Sequence, residues 1–161
     1  MEELVIIIVI LLLIFGFGTV QIPIGVNFPQ EPQAIGNITG NERLTFREKG
    51  DINLEFQGRI SGNPRIDIVS ERGSGYVRFR ETITGNPNLE IKTYAGEVYV
   101  GFDRFIEGNP TIRIESGRNV IFANDRSTIQ GYVNKNLIEI KAGGRIYYGD
   151  DSFFKRFRTG N

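Results

Sequence analysis

A tetrapeptide, Ile-x-Gly-Asn, begins at Ile38, Ile60, Ile83 and Ile106 of the 161-residue chain, and a variant, Ile-Gln-Gly-Tyr, begins at Ile129. The spacings are 22, 23, 23 and 23 residues. A constant period of this size marks a repeat architecture in which each unit is one supersecondary element. A unit so small cannot bury its apolar face alone, so neighbours must stack. No other feature of the chain restricts its fold as strongly.

Within each repeat the apolar residues alternate. One pair follows each Gly-Asn: Leu44/Phe46, Ile66/Ile68, Leu89/Ile91 and Ile112/Ile114. In the last repeat it comes late, as Ile138/Ile140, after an insertion of about three residues. A second pair stands near mid-repeat: Leu54/Phe56, Val77/Phe79, Val100/Phe102 and, less regularly, Val120/Phe122. Arg65, Asp67, Arg78, Glu90, Arg113 and Glu115 lie between them. Period-two alternation puts the apolar set on one face of a strand and the charged set on the other.

Each repeat therefore reads as three short extended segments separated by glycine or Asn-Pro corners. Glycine supplies the positive φ that a sharp corner needs. Pro64, Pro87 and Pro110 fix φ just before a strand, where a missing N–H costs least. Stacking one repeat apart would align Ile66, Leu89 and Ile112 in one column and Ile68, Ile91 and Ile114 in another. The segment "NPTIRIESGRNVIFANDRSTIQG" resembles coils of right-handed parallel β-helix proteins, and the likeness extends over residues 38–150. The expected fold is all-β: a short parallel β-helix, or solenoid, of about five 22–23-residue coils. At about 4.8 Å per strand layer it would stand about 24 Å tall. The alternative is antiparallel, since "IRIESGRNVIF" and "IEIKAGGRIYY" also look like tight hairpins of a meander, sandwich or small barrel.

Residues 4–15, "LVIIIVILLLIF", are wholly apolar, and no charged residue occurs between Glu3 and Glu31. About 20 apolar residues suffice to span a bilayer core. The predicted organisation is a transmembrane helix at 1–22, a Pro/Gly linker at 23–37, the β-repeat domain at 38–150, and a basic, aromatic tail or cap at 151–161. A cleaved signal peptide would carry a positive n-region and a small-residue cleavage site; here "MEE" comes first and no A-x-A follows. "EELVIIIVILLLIFG" resembles the start of TatA-type twin-arginine translocase subunits, whose apolar helix leads into a basic amphipathic one. "FGTVQIPIGVNFPQEPQ" has no basic residue, so the likeness ends there. An apolar helix bearing a β-rich head also resembles the layout of type IV pilins, without their processing site. The chain would thus contact lipid through residues 4–22 as a single-pass protein of a cell envelope or virion membrane. Its orientation is left open, because the first Lys or Arg is Arg43.

Composition narrows the chemistry. The chain has no Cys and no His, which removes disulfides, thiolate nucleophiles, the usual general base and the commonest metal ligand. Its 19 basic and 19 acidic residues balance, so no nucleic-acid footprint is expected. Asp125, Asp150 and Asp151 are the one notable carboxylate group, and Gly149-Asp150-Asp151 reads as a turn. Asn37-Ile38-Thr39 matches a glycosylation acceptor in form. No helix follows Gly143-Gly144 to receive a phosphate. No catalytic, metal-binding or cofactor-binding residue is assigned. The tail interleaves Phe153, Phe154 and Phe157 with Lys155, Arg156 and Arg158, and these six are the candidate partner-binding residues. The phenylalanines are expected to pack on the final coil while the cations face water.

The functional expectation is a non-enzymatic, membrane-anchored structural protein, homo-oligomeric or part of a larger assembly. Its β-repeat head would serve as a spacer or docking surface in an envelope assembly, filament or membrane-containing virion. The alternative is a tethered carbohydrate-binding or polysaccharide-active β-helix module using surface aromatics such as Tyr76 and Tyr99.

Overall fold

The computed structural model describes residues 31–156. The apolar stretch 4–22 expected to cross the membrane lies outside the described residues, as do Phe157 and Arg158 of the tail. Two parallel sheets make up the β-repeat. The first runs β1 (Gln33–Ile35), β3 (Ile52–Phe56), β5 (Gly75–Phe79), β7 (Val98–Phe102), β9 (Val120–Phe122), β11 (Ile146–Tyr147). The second runs β10 (Ile138–Ala142), β8 (Thr111–Ser116), β6 (Asn88–Thr93), β4 (Arg65–Ser70), β2 (Arg43–Glu48). Successive strands therefore alternate between sheets, and each pairs only with the strand one coil away.

Every strand pair in both sheets is parallel. The fold is a β-solenoid of about five turns, and the antiparallel meander, sandwich and barrel are excluded. The apparent hairpin "IRIESGRNVIF" is β8 and β9, which belong to different sheets; "IEIKAGGRIYY" is likewise β10 and β11. Their glycine corners carry the chain across to the other sheet instead of back along the strand it has left. Ile38, Ile60, Ile83 and Ile106 form a third side, joined by single parallel bridges. The signature isoleucines are thus the rungs of a column of their own.

Stacking in register makes the core. Leu44, Ile66, Leu89, Ile112 and Ile138 align in one inward column, and Phe46, Ile68, Ile91, Ile114 and Ile140 in the next. The rings of Phe56 and Phe79 stack at 4.9 Å, and those of Phe79 and Phe102 at 5.2 Å. Fully burying an Ile, Leu or Phe contributes about 1.5–3 kcal/mol, and most of these side chains are inaccessible. Pro64, Pro87 and Pro110 are also buried, and the Pro64 and Pro87 carbonyls accept from Asn88 and Thr111 in the coil above. Ser70, Thr93 and Ser116 are the buried polar residues, and their hydroxyls donate to carbonyls at the glycine corners. Among the described residues no buried side-chain polar atom lacks a partner.

Three local departures from strict repetition have physical causes. Val120 lies beside Val98 and Phe122 beside Val100, so this pair sits two positions off the Val100/Phe102 alignment that the shared Val-x-Phe pattern suggests. Asn124 then substitutes for the strand, its amide accepting from Phe102 N at 2.9 Å and donating to Phe102 O at 2.7 Å. The fifth signature is not a Gly-Asn corner: Ile129 lies in helix α1 (Arg126–Asn134), which absorbs the insertion and keeps Ile129 fully buried. Finally, β1 falls inside the stretch read as linker, held by pairing Gln33–Ile35 with Leu54–Phe56.

The corner glycines at 40, 62, 85 and 108 have φ between 77° and 84°. Coils are stacked so closely that a Cβ on Gly85 would lie 2.5 Å from the Gly62 carbonyl oxygen, whereas one on Gly40, in the first coil, meets nothing within 4 Å. Left-handed φ costs a non-glycine residue about 1–2 kcal/mol by itself. Gly40→Ala is therefore expected to lower stability by about 1 kcal/mol, and Gly85→Ala by well over 2 kcal/mol because backbone must also move. Urea unfolding midpoints of the two variants measure the difference, and equal losses would contradict backbone-to-backbone stacking at this corner.

Candidate functional site

Two surfaces carry features beyond the repeat itself: the outer face of the first sheet, and the end of the solenoid at β10 and β11. On the outer face Tyr76 and Tyr99 are register partners whose rings stack at 4.8 Å. Their hydroxyl-bearing rings occur 23 residues apart, the same interval as the buried columns, because the outward positions repeat as faithfully as the inward ones. Tyr99 donates to Glu97 at 2.7 Å, and its pKa is pushed up by burial and then by that hydrogen bond.

The tail closes over these rings. Gly149 turns the chain at φ 76°, Asp150 accepts from the backbone N–H of Ser152 at 3.1 Å, and α2 (Ser152–Arg156) follows. Phe153 lies nearly flat on Tyr76 at 3.8 Å and 5.0 Å from Tyr99. Phe154 is buried, with the Arg78 guanidinium 5.3 Å from its ring centre. Gly101 lies beneath it, where a Cβ would meet the Phe154 ring at 3.4 Å, an ordinary contact distance. The phenylalanines were expected on the final coil. Phe153 and Phe154 reach instead across the outer face to the second and third coils, where Tyr76 and Tyr99 already offer a stacked aromatic surface. Lys155 is exposed and pairs with Asp151 at 2.9 Å, and Arg156 is the last residue of α2.

Beside this clasp runs an ionic chain. Arg78 meets both carboxylate oxygens of Asp103 at 3.1 Å, Asp103 also accepts from Arg80 at 3.2 Å, and Arg80 reaches Glu55 at 3.1 Å. Each pair joins neighbouring coils, so the charges reinforce the stacking direction. The carboxylates singled out from sequence have separate structural duties. Asp125 is the N-cap of α1, accepting from the Ser127 hydroxyl at 2.7 Å and from the Thr128 backbone N–H at 2.9 Å and hydroxyl at 2.8 Å. Those bonds, led by the Ser127 hydroxyl, hold its pKa down to about 2. Asp150 caps the turn before α2 and Asp151 pairs within it. Among the described residues no group of three or more His, Cys, Asp or Glu could hold a metal ion. Asn37, at the head of the glycosylation-like triplet, accepts from Arg59 N at 2.9 Å, and Ile38 behind it is buried in the third-side column.

At the far end of the solenoid no described strand lies beyond β10 and β11. β10 and β11 are edge strands, and a groove of about 510 Å³ between them and α1 is lined by apolar residues, among them Ile112, Val133 and Ile140, and by polar ones, among them Gln130, Asn136 and Glu139. Tyr148 stacks on Phe122 at 5.7 Å as the last ring of its column. On the outward side of β10 the Glu139 and Lys141 side chains are 74% and 79% exposed. At the opposite end β1 and β2 are the edges, where Ile35, Leu44 and Phe46 are half-buried. Among the described residues no helix is long and apolar enough to cross a membrane. No family model, curated protein or solved structure matches the chain.

Two outcomes follow from this geometry. Asp125 has a folded pKa below the unfolded value, so its stabilising share is full above about pH 4 and disappears as pH falls through about 2. Asp125→Ala should lower the thermal midpoint at neutral pH, and the gap from the parent should close toward pH 2. Phe154→Ala removes a buried ring worth about 2 kcal/mol, which corresponds to about a 30-fold larger population with α2 released. Limited trypsin digestion at Lys155 and Arg156 should accelerate accordingly, while the urea midpoint of the repeat changes little.

Proposed function

We propose that this protein is a non-enzymatic structural module, a rigid β-solenoid head borne on an apolar N-terminal membrane segment and used as a spacer and docking element in an assembly. The observation that carries this reading is the distribution of its polar groups. The Glu55–Arg80–Asp103–Arg78 chain bridges coils, the buried hydroxyls serve corner carbonyls, and Asp125 and Asp150 cap a helix and a turn. Among the described residues no strand pairs with the outer edges of the end coils, and an open edge is a template for another chain. The surroundings such a module suits are an envelope assembly, a filament or a membrane-containing virion, with residues 4–22 in the lipid.

A tethered carbohydrate-binding or polysaccharide-active module is the other reading. Its best support was the pair Tyr76 and Tyr99, and Phe153 of the same chain lies against both rings. A sugar would have to displace the tail to stack there, which disfavours this reading.

Membrane fractionation of the full chain tests the proposal. The parent protein should stay in the membrane pellet after alkaline carbonate washing and migrate, once solubilised in detergent, as a species larger than one chain. Deleting residues 4–15 should move it to the soluble fraction. A parent chain that is released by carbonate and sediments as a monomer would overturn the reading.

A further inference from the structure

We infer that the β10 end of the solenoid is a self-complementary interface, at which two copies of this chain join end to end about a two-fold axis through Ile140. This interface is one form of the assembly role proposed above and rests on it.

The backbone supplies the first part of the case. The Leu137 carbonyl accepts from Ile112 N at 3.0 Å, and Gly143 N donates to the Ser116 carbonyl at 2.8 Å, so both residues flanking β10 turn toward β8. Alternation along the ladder then directs the N–H and C=O of Ile138, Ile140 and Ala142 to the open edge. An antiparallel partner with Ile140 opposite its own copy pairs Ile138 with Ala142 of the other chain. All three free residues would then face hydrogen-bonding counterparts.

Side chains choose the same register. In the segment "IEIKA" an acidic and a basic residue stand symmetrically about Ile140. Centring the pair there sets Glu139 of each copy opposite Lys141 of the other, twice, at positions where outward side chains come close. Both side chains are largely exposed, so each can reach across while keeping its contact to Arg113 or Glu115. On the inner side Ile140 meets Ile140, extending a column that otherwise ends half-covered. Continuing the solenoid head to tail is poorer: β2 laid on β10 in the register of the other strands sets Arg47 beside Lys141 and the Glu48 carboxylate on the apolar Ala142. The two-fold joint also directs both Glu31 ends outward, making a strut about 50 Å long from two 24 Å stubs.

Charge reversal tests the interface without touching the core. Sedimentation velocity of the full chain in detergent should show a dimer or a larger species containing it. Glu139→Lys and Lys141→Glu, each alone, place like charges together at two sites and should weaken association about tenfold or more. An equimolar mixture of the two variants restores both pairs, as does the double variant E139K/K141E, and each should associate as the parent does. Circular dichroism of the single variants should match the parent. Association unaffected by either reversal would overturn this interface while leaving the assembly role standing. Association strengthened by Lys141→Glu alone would overturn it in favour of head-to-tail stacking, where that change faces Arg47. A monomeric parent would overturn both.

Discussion

Parallel stacking at a constant register is the constraint from which the rest of this structure follows. Each strand obtains its hydrogen bonds from the strand one coil away, so a coil has no stable shape apart from its neighbours. The same translation that aligns the backbone also aligns side chains, and the aromatic column of Phe56, Phe79 and Phe102 exists because their intervals match the coil. Glycine at the corners is the steric condition for that approach, since a carbonyl of the adjacent coil occupies the space of a Cβ at Gly62, Gly85 and Gly108. Corner, column and ladder are three consequences of one spacing.

The constraint also shows where such a protein can hold information. Inward positions are committed to packing and corners to turning, leaving the outward positions and the two ends. On the outward face of the first sheet the chain has placed a tyrosine pair, an ionic chain from Glu55 to Asp103, and its own tail. The clasp by Phe153 and Phe154 ties α2 to the second and third coils, and Phe153 partly covers the tyrosine pair. The ends are different: their edges are fixed by the fold, and among the described residues no strand pairs with them.

The period was legible without coordinates because it depends on residue type alone. Isoleucine, glycine and asparagine recur at the interval of the coil, and the columns through Ile66 and Ile68 follow from that interval. Val120 and Phe122 misled because they copy the Val-x-Phe pattern of Val100 and Phe102, whereas the strand that holds them begins opposite Val98. "IQGY" misled for another reason: its Ile keeps the buried position, but Asp125 and the two hydroxyls after it start a helix. The cap was there to be read, and the resemblance to the other corners masked it. β1 carried no alternation, because three residues become a strand only when β3 is present to pair with them.

What the sequence by itself determined is the translational repeat, its coil length and the division of each strand into an inner and an outer face. Those properties are local or periodic, and they survive in one dimension. Only the tertiary structure decided that all strands run parallel, that Phe153 and Phe154 lie on the tyrosine face instead of the last coil, and that β10 is the outermost described strand of its sheet. Each of these depends on which distant segments meet. The free energy of such meetings comes from pairs of surfaces, and a linear pattern specifies the surfaces without specifying the pairs.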